Sequence, residues 1–327
     1  MTSIRSGLRI LMAGSALLLA ATAPGLAAGF DGAIKNNSLA LSPDGRTAAV
    51  SNSEESRVLI YDVTSGKLAR TLDGFVTPRN IVFAPDGSRF YVSDSGTGRI
   101  TAYDTATGQE AALIAAGPGA FGTVLSGDGS KLYVNNEAAS TVSVFDTKSG
   151  LALAVVPGFS QPRQGVRLAP DGKTLFVTNF LGDKITLVDT ASNKITGEIT
   201  GFDKLRAISI TKDGKTLFAA NSGRNTVSVV DLAEKKVVTE VPVGQDPYGA
   251  ALTPDGKFVY SGNLKDNTLS VIDTATRKVV ATVTGLNEPR QAIVFSADNT
   301  KAYALNRDLS VAVIDRASNA VTATMKP

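Results

Sequence analysis

One short pattern recurs seven times along the chain, and this repeat constrains the fold more than any other feature. In its fourth copy, a Pro-Asp-Gly turn at 170–172 separates two apolar segments, and two further segments follow at 184–189 and 194–199. The Asp of the turn marks each copy: Asp44, Asp86, Asp128, Asp171, Asp213, Asp255 and Asp298. The spacing of 42 or 43 residues is typical of a propeller or a solenoid.

The segments between the turns read as β-strands. Their apolar residues alternate or form short β-branched runs, as at 58–61, 141–145 and 226–230. Four such segments fit each copy, and 43% hydrophobic with 19% charged residues suits a packed β protein. The sequence therefore predicts an all-β fold, a seven-bladed β-propeller with four antiparallel strands per blade.

The end of the second segment carries a recurring motif. It reads Phe-Val-Thr-Asn at 176–179, Tyr-Val-Ser-Asp at 91–94 and Tyr-Val-Asn-Asn at 133–136. With both turns and the period, this motif resembles the YVTN-repeat β-propeller family, similar to the exported YncE-like proteins, over residues 36–325. The resemblance implies that the strand before Pro-Asp-Gly lies innermost, along a central channel. It does not fix the function, because such propellers serve as binding platforms, surface proteins and enzyme subunits.

The first 28 residues have the pattern of a secretory signal peptide. Arg5 and Arg9 precede an apolar run at 10–21, and small residues at 25–28 form a cleavage site. We expect a single propeller domain over 29–327, a periplasmic or secreted location, and no stable membrane insertion after cleavage. The sequence contains no Cys, which excludes a lipoprotein anchor and any disulfide.

The charge balance argues against nonspecific binding to polyanions. Arg5 and Arg9 are the only charged residues of the signal segment, so 31 of the 33 basic residues remain against 30 acidic residues. A chain this close to neutral has no global field that steers nucleic acid or anionic lipid towards it. Electrostatic recognition must therefore come from local arrangement.

Two recurring polar positions have structural explanations. An Asp begins the second turn of each blade, where its carboxylate accepts backbone N–H bonds; cation binding is the alternative. These residues are Asp62, Asp104, Asp146, Asp189, Asp231, Asp273 and Asp315. The last motif letter predicts an outer ring on the opposite face, formed by residues that cap turns and tolerate the left-handed conformation. This ring comprises Asn52, Asp94, Asn136, Asn179, Asn221, Asn263 and Asn306.

A second ring on that face is the candidate binding site. Its members start the seven innermost strands: Asn37, Arg79, Phe121, Arg163, Arg206, Tyr248 and Arg290. Four guanidinium groups converge on one channel mouth, where they favour a protein partner or a small anionic ligand. Phe121 and Tyr248 are predicted to stack on a flat ligand or base.

The alternative role of this ring is structural. In that case each Arg pairs with a carboxylate such as Glu288, Asp246 or Asp94 and joins adjacent blades. The residues alone leave both roles open.

Apolar residues on the same face suggest a secondary partner surface. Phe180 and Leu181 follow the second strand of blade four, and Leu264 follows that of blade six, where most of the other blades place Ser or Gly. Packing onto the blade top is the alternative. A protein partner would use such residues as anchors beside Arg.

The composition argues against catalysis. The chain has neither His nor Cys, which removes His-based acid–base chemistry, thiol nucleophiles and His-ligated metals or haem. Ser–Lys and carboxylate chemistries need neither residue, but no Lys or Glu occupies the inner ring. We expect no enzymatic activity, no cofactor and no metal.

Three functions remain open. The favoured one is a non-catalytic, monomeric binding platform for a protein partner or small anionic ligand. A single-stranded nucleic-acid binder is suggested by Arg interleaved with aromatic residues, although the charge balance argues against it. An accessory subunit of a periplasmic redox or surface-layer assembly is the third.

Overall fold

The computed structural model describes residues 36–327 as seven four-stranded antiparallel sheets, each built from one contiguous stretch of chain. Blades one to three comprise β1 (Leu39–Leu41), β2 (Thr47–Asn52), β3 (Arg57–Asp62), β4 (Lys67–Leu72), β5 (Pro78–Phe83), β6 (Arg89–Asp94), β7 (Arg99–Asp104), β8 (Glu110–Ala115), β9 (Ala120–Leu125), β10 (Lys131–Asn136), β11 (Thr141–Asp146) and β12 (Ala152–Pro157).

Blades four to seven repeat this arrangement. Their strands are β13 (Pro162–Leu168), β14 (Thr174–Asn179), β15 (Lys184–Asp189), β16 (Lys194–Ile199), β17 (Leu205–Ile210), β18 (Thr216–Asn221), β19 (Thr226–Asp231), β20 (Lys236–Pro242), β21 (Ala251–Leu252), β22 (Phe258–Asn263), β23 (Thr268–Asp273), β24 (Lys278–Val283), β25 (Ile293–Phe295), β26 (Lys301–Leu305), β27 (Val311–Asp315) and β28 (Ala320–Met325). The predicted all-β, seven-bladed propeller is confirmed.

The first strand of each blade lies innermost. First strands of successive blades contact one another from β1 to β21, and β25 contacts β1, which closes the ring around a channel. Within residues 36–327 no strand is exchanged between the ends of the chain. The predicted signal peptide at 1–28 and the stretch 29–35 lie outside the described residues.

Apolar cores shared between neighbouring blades hold the ring together. Blades seven and one share a cluster in which Leu39 and Tyr61 pack with Tyr303, Val313 and Met325. The other blade interfaces have equivalent clusters. Since the chain has no Cys, burial of these strand faces stabilises the ring without disulfide bonds.

The two predicted turn structures are present in every blade. The Asp44 carboxylate accepts the N–H of Arg46 at 3.0 Å, and Gly45 takes a φ of 71°. In the second turn, Asp189 accepts the N–H of Ser192 at 2.7 Å. Such hydrogen bonds favour the ionised carboxylate and lower the pKa of Asp189. These hydrogen bonds within the turns are therefore sufficient to explain why Asp recurs at both positions.

Two further observations concern membrane-spanning helices and metal-binding groups. Residues 36–327 contain no helix of the length and apolarity that a bilayer crossing requires. Within the same residues, no three acidic side chains are grouped so that they could hold a metal ion.

Candidate binding site at the channel mouth

Antiparallel connectivity places both turns of every blade at one face of the ring and the ends of the second strands at the other. We call the latter the mouth face and the former the turn face. The inner ring lies on the mouth face. In blades two to five its members are the second residues of the innermost strands, and in the other blades they precede the strand.

Several outer-ring side chains accept backbone N–H bonds at the connections between blades. Asn221 is fully buried, and its Oδ1 accepts the N–H of Asp203 at 2.6 Å, so it caps the connection between blades. Asp94 does the same for Val76 and Thr77, both at 2.8 Å. No member is left-handed. That conformation occurs just before each third strand instead, at Ser56, Gly98, Ser140, Asp183, Asn225, Asn267 and Leu309.

Two members of the inner ring are buried. Arg79 is 1% exposed and Phe121 is 0% exposed, with the Arg79 guanidinium carbon 5.0 Å from the centroid of the Phe121 ring. The Arg79 Nε also donates to Ser95 Oγ at 3.0 Å. The expectation that Phe121 stacks on a ligand is therefore wrong, because its ring is enclosed between blades.

Arg163 is neutralised within the protein. Its Nε donates to the Glu137 carboxylate, which is 2% exposed, while the Arg163 side chain is 15% exposed. The guanidinium carbon also lies 3.4 Å from the centroid of the Phe180 ring. Arg163 thus has the structural role that the sequence left open, but with Glu137 and not with any of the three carboxylates considered.

Arg206, Tyr248 and Arg290 continue this arrangement around the mouth. The Arg206 guanidinium carbon lies 5.3 Å from the Phe180 ring centroid and 4.6 Å from that of Tyr248. That of Arg290 lies 5.4 Å from the Tyr248 centroid. We call Arg163, Phe180, Arg206, Tyr248 and Arg290 the cation–aromatic ladder, in which each ring lies between two guanidinium groups.

The last two Arg residues of the ladder have only neutral hydrogen-bond partners. Arg206 Nε donates to Ser222 Oγ at 3.1 Å, and Arg290 Nη1 donates to Asn36 Oδ1 at 3.2 Å. Within residues 36–327, neither forms a salt bridge. Glu288, the nearest sequence candidate, pairs with Arg307 at 2.7 Å instead. Both guanidinium groups are half-buried. Arg290 lines a small cavity that Glu54 and Glu288 also line, without an ion pair to either.

The remaining predicted residues divide between packing and exposure. Asn37 Oδ1 accepts the N–H of Ser53 at 3.0 Å, so Asn37 fixes the loop of its own blade. Leu264 is half-buried. Leu181 is 53% exposed beside Phe180, and its N–H donates to the Ser160 carbonyl at 3.2 Å. Leu181 is therefore an apolar group held at the edge of the ladder.

Amide side chains cross the channel next to the inner ring. Gln291 Nε2 donates to Gln164 Oε1 at 2.8 Å, although 127 residues separate them, and Gln164 Nε2 donates to Asn80 Oδ1 at 3.4 Å. Blades four and seven each carry one more residue between the inner-ring Arg and the Asp of the turn than the other blades do. The channel is thus bridged by side chains below the mouth.

Sequence reasoning missed the central place of Phe180 and the whole role of Glu137. Both occupy the position after the YVTN motif, where three other blades place Ser53, Ser95 and Ser222. A comparison of that position between blades would have identified both residues as unusual. Glu137 is the only acidic residue at this position, and Phe180 is the only aromatic one.

Comparison with known proteins agrees with this architecture. A family model described as YNCE-like beta-propeller matches residues 204–319. The predicted resemblance to YNCE-like propellers is confirmed. A second model, described as lactonase, 7-bladed beta-propeller, matches residues 78–196, so the two models cover different parts of the ring. No curated protein sequence matches the chain.

Solved structures resemble this ring in fold. A chain of Kuenenia stuttgartiensis hydrazine synthase is similar with a TM-score of 0.76 and 23% identity, covering 85% of this chain and 95% of the other. Such matches number 1782, so similarity of fold does not discriminate between functions here.

Proposed function

We propose that this protein is a non-catalytic, exported binding platform that holds a carboxylate-bearing group at Arg206 and Arg290. The group belongs to an acidic segment of a protein partner or to a small anionic ligand. The observation that carries this proposal is that both guanidinium groups flank Tyr248, are half-buried, and lack a carboxylate partner within the described chain.

The spacing of the two cations suits a ligand with more than one anionic oxygen. Their guanidinium carbons lie 4.6 and 5.4 Å from the same ring centroid, which keeps them within about 10 Å of each other. Stacking on Tyr248 and Phe180 restrains Arg206, so a bound carboxylate meets donors that are already oriented. Partial burial strengthens these bonds relative to those of a fully solvated Arg.

Leu181 favours a protein partner over a free small molecule. It is exposed and lies beside the ladder residue Phe180. An exposed apolar side chain beside a cation offers a protein partner apolar area to cover, which a small anion cannot use.

The ladder disfavours binding of single-stranded nucleic acid. Base stacking requires an open aromatic face. Here Phe180 is covered by Arg163 at 3.4 Å, Tyr248 lies between Arg206 and Arg290, and Phe121 is buried. An oligonucleotide would first have to displace these guanidinium groups. A role as an accessory subunit rests only on similarity of fold.

A non-catalytic role is part of the proposal. The partial match to a lactonase model raises the possibility of hydrolysis, but the chain has no His or Cys for such chemistry. Periplasmic or secreted location is proposed from the pattern at residues 1–28, which precede the described ring.

Fluorescence anisotropy with labelled probes tests the binding proposal. The mature protein, an Arg206→Ala/Arg290→Ala variant and an Arg99→Ala control are titrated with an oligoglutamate peptide and with oligothymidine. Arg99 is exposed and lies outside the ladder, so the control substitution removes the same type of charge elsewhere. We expect the peptide to bind the mature protein and the control alike, and the double variant at least about tenfold more weakly, since each charged hydrogen bond contributes about 1.5–3 kcal/mol.

Two results would overturn the proposal. Equal peptide affinity for all three proteins would show that Arg206 and Arg290 do not bind carboxylates. Tight binding of oligothymidine alone, with a steep loss of affinity as salt rises, would assign the site to nucleic acid instead.

A further inference from the structure

The innermost strands carry cations and no carboxylates. Five Arg and no Asp, Glu or Lys occur at 36–41, 78–83, 120–125, 162–168, 205–210, 247–252 and 289–295. Four of these Arg belong to the inner ring. The fifth, Arg167, lies near the other end of β13, one residue before the strand ends at Leu168.

The Arg167 side chain lies in the central channel. β13 is innermost, with β14 along one edge and neighbouring blades against its faces. Arg167 is nevertheless exposed, so the solvent that it meets is the water of the channel. The residues in register with it are much smaller: Ala40, Val82, Val124, Ser209, Ala251 and Val294. The small side chains at this register position in the other six blades therefore leave space in the channel beside the Arg167 side chain.

Arg167 has no anionic partner in the described chain. Its Nη1 donates to the carbonyl oxygen of the adjacent Val166 at 2.8 Å, and it forms no salt bridge. The surrounding protein lowers the pKa of the Arg167 guanidinium, because burial penalises its charged form. The Arg167 side chain is accessible to solvent, yet enough protein surrounds it to desolvate the guanidinium group.

The amide side chains that cross the channel lie between the mouth and Arg167. The Gln164–Gln291 hydrogen bond spans the channel, and Gln164 precedes Arg167 by three residues on the same strand. At about 3.3 Å per residue this places Arg167 roughly 10 Å further from the mouth. A ligand at Arg167 would therefore enter from the turn face.

We propose that the channel binds a small oxyanion, of the phosphate or carboxylate class, at the Arg167 guanidinium, at a site distinct from the mouth. The planar fork of Arg matches such oxygens with two parallel bonds. A bound anion would also supply the partner that this cation lacks among the described residues. The site goes beyond the proposed function and does not depend on it.

Thermal unfolding in inorganic phosphate, compared with sodium chloride at equal ionic strength, tests this site. The mature protein, Arg167→Met and the Arg206→Ala/Arg290→Ala variant are measured. Met keeps an unbranched side chain and removes the charge. We expect phosphate to raise the Tm of the mature protein and of the mouth variant by about 2–4 °C, and the Tm of Arg167→Met by less.

Phosphate also stabilises proteins by general exclusion, so the difference between the mature protein and Arg167→Met is the quantity that decides. In chloride we expect Arg167→Met to unfold at a higher temperature than the mature protein, because an unpaired desolvated cation has been removed. An Arg167→Lys variant, which keeps the charge but not the fork, should respond to phosphate more weakly than the mature protein.

Several results would overturn the inference. An equal phosphate response in the mature protein, Arg167→Met and Arg167→Lys would mean that Arg167 binds no oxyanion. A response lost only in the mouth variant would place phosphate at Arg206 and Arg290. Failure of oligoglutamate binding, by contrast, would affect the proposed function alone.

Discussion

The Arg206 guanidinium carbon lies 4.6 Å from the centroid of the Tyr248 ring, and no carboxylate of residues 36–327 pairs with it. By contrast, Arg163 at the other end of the cation–aromatic ladder is paired with Glu137. The mouth therefore combines a self-neutralised half with a half whose charge is available. This asymmetry is the basis for placing a partner at Arg206 and Arg290.

Removing the Glu137 carboxylate should destabilise the ring strongly. Glu137 is 2% exposed, and Glu137→Gln leaves Arg163 without its anionic partner, at a cost of about 3–5 kcal/mol in the free energy of unfolding. The double variant Glu137→Gln/Arg163→Gln should recover part of that loss. Urea denaturation measures both. Strictly additive losses would show that the two side chains do not stabilise each other.

Two non-glycine residues in the turns after the third strands are sites for stabilisation. Lys235 and Arg277 adopt φ of 54° and 57°, where blades one to three place glycine. Lys235→Gly and Arg277→Gly should each raise the free energy of unfolding by about 0.5–1 kcal/mol, because glycine has no steric penalty there. Lys278→Gly, at the start of β24, is the control and should lower it. Losses in all three variants would contradict this account.

The turn carboxylates predict loss of stability in acid. Hydrogen bonds from Ser126 and Ser130 lower the pKa of Asp128 to about 2, against 3.8 for an unperturbed Asp. Its contribution is therefore complete above pH 3.8 and is lost as the pH falls towards 2. We expect Asp128→Asn to have a lower Tm than the unmodified protein at pH 6, and the gap to narrow by pH 2. A gap independent of pH would refute this role.

We expect no lactone hydrolysis by the mature protein. The chain lacks His and Cys, and residues 36–327 contain no group of three acidic side chains suited to a metal ion. A pH-indicator assay with γ-butyrolactone and δ-valerolactone, with heat-denatured protein as control, checks this expectation. Saturable hydrolysis by the folded protein alone would show that the ring is an enzyme.

The fold could be predicted almost completely from the repeat. Turn residues recur at fixed spacing, and strand patterning between them is local, so the blade count and the four strands per blade follow directly. Which strand lies innermost was implied by the resemblance to YVTN-repeat propellers. Local rules suffice because the apolar faces of each blade pack on its two neighbours.

The site could be predicted only as a set of positions. The period correctly placed Arg206 and Tyr248 on one face, because equivalent residues of a ring share a level. It could not show that Phe121 is enclosed, or that Phe180 lies between Arg163 and Arg206, because those contacts depend on how side chains of neighbouring blades pack. Side-chain burial at a blade interface depends on the shape of both neighbours, which a one-dimensional repeat does not describe.

The most direct test of the proposed mouth site is NMR of the arginine Nε–Hε groups during titration with oligoglutamate. Signals of Arg206, Arg290 and Arg99 would be assigned from the corresponding Ala variants. We predict that the Arg206 and Arg290 signals shift with a common affinity while that of Arg99 does not move. Unchanged Arg206 and Arg290 signals at saturating peptide would contradict the account.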